Sequence, residues 1–173
     1  MTHAIKSRET LLALVRAALR SGTVAGLAMI PFAALFRASG LRINEYGRKT
    51  LELVVGEVAP PLSYVLSFAQ HLLISCAAAI PLLWVLGRID RRRTRVLIGA
   101  LYGAGFYVAA NSLALPLFFG DATPWELGID FVYPSLVIHV VYGVVLGLVA
   151  QSRGRRRQHD LGEPALRPVD RAS

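Results

Sequence analysis

Long stretches of this sequence contain no charged side chain. Residues 58–87, 96–120 and 131–152 lack Asp, Glu, Lys and Arg, and a shorter stretch of the same kind covers residues 21–36. A helix rises about 1.5 Å per residue, so roughly 20 apolar residues cross the hydrocarbon core of a bilayer. Lipid offers no partner to backbone N–H and C=O groups, and stretches of this length must therefore be helical. The sequence predicts an integral membrane protein with four transmembrane helices.

Charge, cysteine and enzyme signatures are also scarce. Charged residues make up 17% of the chain, below the roughly 25% of soluble domains, and hydrophobic residues make up 54%. The single cysteine, Cys76, excludes an intrachain disulfide. The sequence has no phosphate-binding glycine loop followed by lysine, no His-Glu-x-x-His and no Gly-x-Ser-x-Gly. We predict a protein that is not an enzyme, with no catalytic residue, no metal site and no cofactor.

The basic residues flank the predicted helices and indicate a direction of insertion. They concentrate before the first helix, between the second and third, and after the fourth, at Lys6, Arg8, Arg16 and Arg20, in residues 88–95, and at Arg153, Arg155, Arg156 and Arg157. Because basic segments stay on the cytoplasmic side, we predict a multi-pass protein of the bacterial inner membrane with both termini in the cytoplasm. The net charge of +8 is interpreted as this signal and as attraction to anionic lipid, not as nucleic-acid binding. The lipid bilayer is the predicted partner, and a homo-oligomer or another membrane protein is left open.

The predicted organisation has three parts. Residues 1–20 form a cytoplasmic or interfacial lead-in, residues 21–152 a transmembrane domain, and residues 153–173 a basic, disordered cytoplasmic tail. The four spans are placed at about 18–37, 61–87, 96–119 and 130–151. Between the first two spans we predict a short surface helix. Its apolar side consists of Ile43, Tyr46, Leu51, Val54, Val55 and Val58. The fold class is all-α, a four-span helical bundle with an external amphipathic segment.

Paired glycines predict where the helices approach each other closely. Three of the spans carry the pattern Gly-x-x-x-Gly, at Gly22 and Gly26, Gly99 and Gly103, and Gly143 and Gly147. With the predicted topology all three patterns lie in the cytoplasmic half of the membrane. Small residues at this spacing let helix backbones touch, so we expect tight packing in that half.

Polar residues collect in the other half. His71, Asn111 and His139 each lie about nine or ten residues from the outer end of their helix, which places them within roughly 3 Å of one depth. Polar groups buried in hydrocarbon need partners, and ionisable ones within spans are functional candidates. We therefore predict a polar layer in the outer half of the bundle. The layer has three further members. Ser67 lies one turn from His71, Tyr107 lies one turn from Asn111, and Tyr142 shares a side of its helix with His139.

Three interpretations of this layer stay open. It could be a set of interhelical hydrogen bonds that fixes helix register. It could be a pocket for a small molecule or a proton in a transport or sensing subunit, with histidine as the titrating group. Less favoured is a haem electron carrier, in which His71 and His139 supply two axial ligands across the bundle.

Several short motifs occur in a characteristic order. They are Gln70-His71-Leu-Leu-Ile-Ser75, Gly99-Ala-Leu-Tyr-Gly103, Asn111-Ser-Leu-Ala-Leu-Pro116, Pro124-Trp125 and His139-Val-Val-Tyr142-Gly143. This order resembles the YagU-type family of bacterial inner-membrane proteins, a domain of unknown function, over about residues 20–150. The resemblance implies four or so spans, a histidine in the second and in the last, and a third span that ends at a proline. It implies no reaction, cofactor or catalytic residue.

Overall fold

Every regular element that the structure describes is a helix. The computed structural model describes the backbone of residues 2–150 and the side chains of residues 11–150. In chain order the elements are α1 (Thr2–Ala38), α2 (Tyr46–Val55), α3 (Pro60–Leu86), α4 (Arg92–Phe106), a π-helical segment (Tyr107–Ala114), α5 (Leu115–Phe119), α6 (Pro124–Leu127) and α7 (Ile129–Val149). The predicted all-α fold class is confirmed.

Four of the helical stretches are long and apolar enough to cross a membrane. They are Leu11–Ala38, Pro60–Leu86, Arg92–Phe119 and Ile129–Val149, and the third joins α4, the π-helical segment and α5. Three of them begin and end within a few residues of the predicted spans. The first differs, because α1 is continuous from Thr2 and shows no break near residue 20. Residues 2–20 of the predicted lead-in continue into the first long helix, in agreement with their Ala, Leu and Arg residues, which favour helix. Their cytoplasmic or interfacial position stays a prediction. The predicted basic tail lies outside the described residues.

The four long helices run alternately up and down. Helix α1 packs along α3 and α7, and α4 packs along α7, whereas α3 touches α4 and α7 much less. Gly22 faces Cys76 while Gly26 faces Leu72, and Gly99 faces Gly143 while Gly103 faces His139, so both pairs are antiparallel. The connections containing α2 and α6 therefore share one side, here named the connector face. The opposite side, where α1 starts and α7 ends, is the terminal face.

Helix α2 packs against the bundle through only part of its apolar side. Tyr46 and Leu51 are buried, and the Tyr46 ring stacks on Phe119 with centroids 5.8 Å apart. Val54, by contrast, is 80% exposed. The predicted surface helix is present, although Ile43 precedes it and Val58 follows it. It ends at Gly56, whose φ of 73° suits glycine.

Salt bridges and side-chain hydrogen bonds hold the connector face. Lys49 Nζ lies 2.5 Å from Asp121 Oδ2 and so joins α2 to the loop before α6. Gln70 Nε2 donates to Thr50 Oγ1 at 2.7 Å and joins α3 to α2. At the start of α6, the Thr123 N–H and hydroxyl both donate to the Glu126 carboxylate, which lowers the pKa of that carboxyl group. Arg48 forms a second salt bridge, with Glu45 at 2.8 Å.

The terminal face contains one arginine that differs from its neighbours. Arg91, Arg92 and Arg93 are exposed. Arg95 is only 6% exposed, and its Nη1 donates to the carbonyl oxygens of Ile89 and Asp90 at 3.1 and 3.0 Å. The side chain satisfies carbonyls of the turn between α3 and α4 and so has a structural role there.

Candidate functional site

The glycine pairs lie at the closest contacts between the long helices. A methyl group at Gly99 would overlap the carbonyl oxygen of Gly143, and one at Gly143 would overlap the carbonyl oxygen of Gly99. One at Gly103 would overlap the carbonyl oxygen of His139, and one at Gly147 would lie 2.5 Å from the carbonyl oxygen of Arg95. Helices α4 and α7 thus meet backbone to backbone. This contact fixes their register below the polar layer.

The first glycine pair performs the same function between α1 and α3. A methyl group at Gly22 would lie 2.6 Å from Cys76 Cα, and one at Gly26 would lie 2.8 Å from Ser75 Oγ. Cys76 Sγ is also 3.5 Å from Thr23 Oγ1, so small polar groups fill this contact. The structure therefore places all six predicted packing glycines at helix contacts.

Asn111 and His139 meet directly in the connector half. Asn111 Nδ2 lies 3.1 Å from His139 Nε2, and His139 Nδ1 lies 2.6 Å from the carbonyl oxygen of Ser135. A carbonyl oxygen can only accept, so Nδ1 carries a proton and donates to Ser135. In the neutral ring Nε2 then accepts from the Asn111 amide. Both ring nitrogens of His139 are therefore engaged, and the tautomer follows from the contacts.

Pro116 leaves the carbonyl group of Asn111, on a widened helical turn, without a hydrogen-bond donor from its own helix. In the π-helical segment the Leu115 N–H donates to the Ala110 carbonyl, five residues back. The next bond of this kind would join residue 116 to the Asn111 carbonyl, but proline has no N–H. Asn44 takes that place, because its Nδ2 lies 3.4 Å from the Asn111 oxygen. π-helical turns of this kind occur often at functional sites.

Asn44 reaches the same level through a second contact. Its backbone N–H donates to Ser135 Oγ at 3.4 Å, and the Ser135 side chain is buried. Asn44 precedes α2 on the connector face, whereas Asn111 and Ser135 belong to two different long helices. One residue of the connector thus contacts both helices that hold the Asn111–His139 pair. We name Asn44, Asn111, Ser135 and His139 the polar cluster.

His71 is not part of this cluster. Its Nε2 donates to the Gly26 carbonyl at 3.0 Å and so joins α3 to α1. Tyr142 donates from its hydroxyl to the Ser75 carbonyl at 2.5 Å, nearer the terminal face than His139. Ser67 is half-buried, and no hydrogen bond of its hydroxyl is found among the described residues. Of the predicted layer, the structure brings Asn111 and His139 together and places His71, Tyr142 and Ser67 elsewhere.

Tyr107 borders the polar cluster through its ring. Its centroid lies 5.6 Å from that of His139, and the Phe106 ring lies 6.1 Å from the same imidazole. The Tyr107 hydroxyl is buried and has no hydrogen-bond partner in the part of the chain that is described, and the same holds for the Ser112 hydroxyl. Both belong to the π-helical segment. Tyr107 and Ser112 thus place two buried hydroxyl groups on the helical segment that carries Asn111.

A cavity of about 700 Å³ opens on the connector face above the polar cluster. This volume is typical of small-molecule sites. Asn44 lines the cavity and also belongs to the polar cluster, so this residue connects the two. The other lining residues come from the end of α1, the start of α2 and the segment around α6, and they are Arg37, Leu41, Arg42, Ile43, Glu45, Tyr46, Lys49, Asp121, Ala122, Pro124, Leu127 and Phe131. The cavity is therefore formed where the end of α1, the start of α2 and the segment around α6 meet.

Both carboxylates on the cavity wall have a cationic partner, whereas two of its arginines have no carboxylate partner in the part of the chain that is described. Asp121 pairs with Lys49, and Glu45 pairs with Arg48, which lies outside the lining. Among the described residues, neither Arg37 nor Arg42 has a carboxylate within 4.0 Å. The Arg42 guanidinium instead lies over the Phe131 ring, 5.4 Å from its centroid. Burial and the Asp121 carboxylate raise the pKa of Tyr46.

Comparison with known proteins gives one match. The family model described as "Family of unknown function (DUF6789)" matches residues 12–161. The chain belongs to this family. The matched range includes the bundle, both connectors and the polar cluster. No curated protein and no solved structure matches the chain. Membership of DUF6789 agrees with the expected family of unknown function, and the YagU-type name stays a resemblance.

Sequence reasoning missed Asn44, Ser135 and the cavity. Ser135 could have been found, because it lies one helical turn before His139 and its carbonyl faces that ring. The sequence gives less indication of Asn44, which is an uncharged polar residue between Ile43 and Glu45 in a connector. The cavity depends on how three separate segments meet, which no local pattern reports.

Proposed function

We propose that this protein is a non-enzymatic sensing or transport subunit that binds a small molecule in the connector-face cavity. The observation that carries the proposal is the position of Asn44, which lines the cavity and bonds to both helices of the polar cluster. A molecule that displaces Asn44 would change the partners of Asn111 and Ser135. His139 bonds to the same two residues, so occupancy of the cavity would alter its surroundings.

The geometry also bears on the two other interpretations of the polar residues, a haem site and a purely structural layer. In the arrangement described, His139 uses Nδ1 as a donor and Nε2 as an acceptor, which leaves it no lone pair for iron. His71 donates from Nε2 to α1. These contacts argue against a haem held between the two histidines. A purely structural layer explains the Asn111–His139 bond, but it does not explain the cavity above it or the Asn44 bridge.

We propose further that the membrane is the bacterial inner membrane and that the connector face is the outer face. The support is the basic composition of the opposite side, where residues 88–95 contain five arginines. The connection 121–130 contains only acidic charges, at Asp121, Glu126 and Asp130. The cavity would then be open to the outside of the cell.

Filling the cavity covalently tests the sensing proposal without knowledge of the ligand. In a Cys76→Ser background, Ala122→Cys places a thiol on the cavity wall, and a benzyl thiosulfonate reagent fills the space. We expect the ring ¹⁵N signals of His139 to shift on modification, because the adduct disturbs Asn44. Adding Asn44→Ala should remove most of this response. The measurement is the ¹⁵N spectrum of histidine-labelled protein in detergent.

Trp125→Cys is the matched control. Trp125 belongs to the same connector and is 54% exposed, but it does not line the cavity. Its adduct should leave the His139 signals unchanged. Complete modification of Ala122→Cys with no change at His139 would contradict the proposal. In intact cells a membrane-impermeant reagent should label Ala122→Cys, and labelling only after permeabilisation would reverse the proposed orientation.

A further inference from the structure

We propose that the ligand of the connector-face cavity is an organic oxyanion, a phosphate or carboxylate head group joined to an apolar group. This inference rests on the proposed function and specifies the class of ligand. The shared chemistry fits both a free organic anion and the head group of an anionic lipid. The charge, the geometry of one guanidinium and the apolar wall each support it.

The charge balance of the wall favours an anion. Each of the two lining carboxylates already has a cationic partner, at 2.5 Å for Asp121 and 2.8 Å for Glu45. After these pairs are set aside, the lining retains Arg37 and Arg42, neither of which has a carboxylate partner among the described residues. Two guanidinium groups on one cavity wall are a strong determinant for phosphate or carboxylate, because each can donate two parallel hydrogen bonds.

Arg42 is held in place before any ligand arrives. Its guanidinium carbon lies over the Phe131 ring, 5.4 Å from the centroid, which is a cation–π contact that favours one position of the side chain. Donors that are already oriented lose less conformational entropy on binding, which favours a specific site over loose attraction of counter-ions.

The remaining wall accepts an apolar group. Leu41, Ile43, Leu127 and Phe131 line the cavity beside the two arginines. The cavity lies where α1 ends and α7 begins, and each of these helix ends carries an exposed apolar side chain, Leu35 in α1 and Ile129 in α7. A ligand with a charged head and a short hydrocarbon part matches this division. An inorganic anion alone would leave the apolar wall unused.

Titration with matched hexyl compounds tests the ligand class. The full chain is placed in phosphatidylcholine nanodiscs, and calorimetry follows the addition of hexyl phosphate, hexanol or hexylammonium. We expect saturable binding of hexyl phosphate alone. Arg37→Gln and Arg42→Gln should each weaken it about tenfold or more, because each removes a charged hydrogen bond. Arg42→Lys should retain part of the affinity, since it keeps the charge and loses the planar fork.

Arg92→Gln is the control, because it changes the net charge equally but lies exposed on the terminal face. It should bind hexyl phosphate as the unchanged protein does. Phosphatidylglycerol added to the nanodisc should compete if the natural ligand is a lipid, and absence of competition would assign a free organic anion. Equal binding of hexyl phosphate by the unchanged protein and by an Arg37→Gln, Arg42→Gln variant that remains folded would overturn the proposal. Saturable hexanol binding that shifts the His139 signals would overturn the ligand class and leave the sensing function standing.

Discussion

Replacing Gly143 by alanine should destabilise the protein by about 1–3 kcal/mol or more, one of the two largest effects we expect. The added methyl group would overlap the Gly99 carbonyl oxygen, which belongs to a backbone and cannot rotate away. Helices α4 and α7 would have to separate, and they would lose dispersion contacts along their whole interface. The free energy of unfolding, measured by titration of the purified protein with sodium dodecyl sulfate in mixed micelles, checks this.

Gly105→Ala is the control for helix propensity. Gly105 lies in α4, the helix that packs against α7, but it is exposed and a methyl group there would meet no atom within 4 Å. Alanine favours helix over glycine, so this variant should be neutral or slightly more stable. If Gly143→Ala were tolerated as well as Gly105→Ala, the close contact between α4 and α7 would be wrong.

The second large effect concerns the Asn111–His139 pair. Asn111→Leu and His139→Leu should each cost about 1–3 kcal/mol of stability, because each leaves the other polar group buried without its partner. The double variant should cost less than the sum, by about 1 kcal/mol. The same unfolding titration on the four proteins measures this coupling.

The control is a second double-mutant cycle, made with His71→Leu and Asn111→Leu. His71 donates to Gly26 and does not contact Asn111 in the structure. The effects of these two changes should therefore add within roughly 0.5 kcal/mol. A coupling in this cycle as large as that between Asn111 and His139 would mean that the three polar residues converge after all, against the arrangement described here.

The fold could be predicted from the sequence because membrane helices obey a simple physical requirement. Uncharged stretches of sufficient length must satisfy their backbone internally, and Pro60 marks the start of α3 as expected of a proline in a first helical turn. Gly120, with φ of 67°, ends α5 in the left-handed conformation. The glycine spacing located the helix contacts for the same reason, since only residues without a side chain permit them.

The site was harder to predict because depth does not determine direction. Counting residues from the helix ends places His71 and Asn111 at about the same depth. In the structure, however, α1 lies close to α3 at Gly26, and the His71 ring donates to the Gly26 carbonyl. Asn44 lies on a connector whose path depends on the packing of α2 and α6. Its bond to the Asn111 carbonyl arises because Pro116 lacks an N–H, a consequence of local chemistry that becomes visible only with the helix geometry.

The central claim is that position 44 of the connector lies against Ser135 in the polar cluster, and disulfide trapping measures this proximity directly. The Asn44 nitrogen lies 3.4 Å from Ser135 Oγ. In a Cys76→Ser background, Asn44→Cys and Ser135→Cys should cross-link on mild oxidation in membranes, as identified by mass spectrometry of the joined peptides. Leu53→Cys with Ser135→Cys should stay unlinked, because Leu53 is 63% exposed on α2. A cross-link confined to the Asn44 pair is the predicted result, and its absence in protein with two reactive thiols would contradict the account.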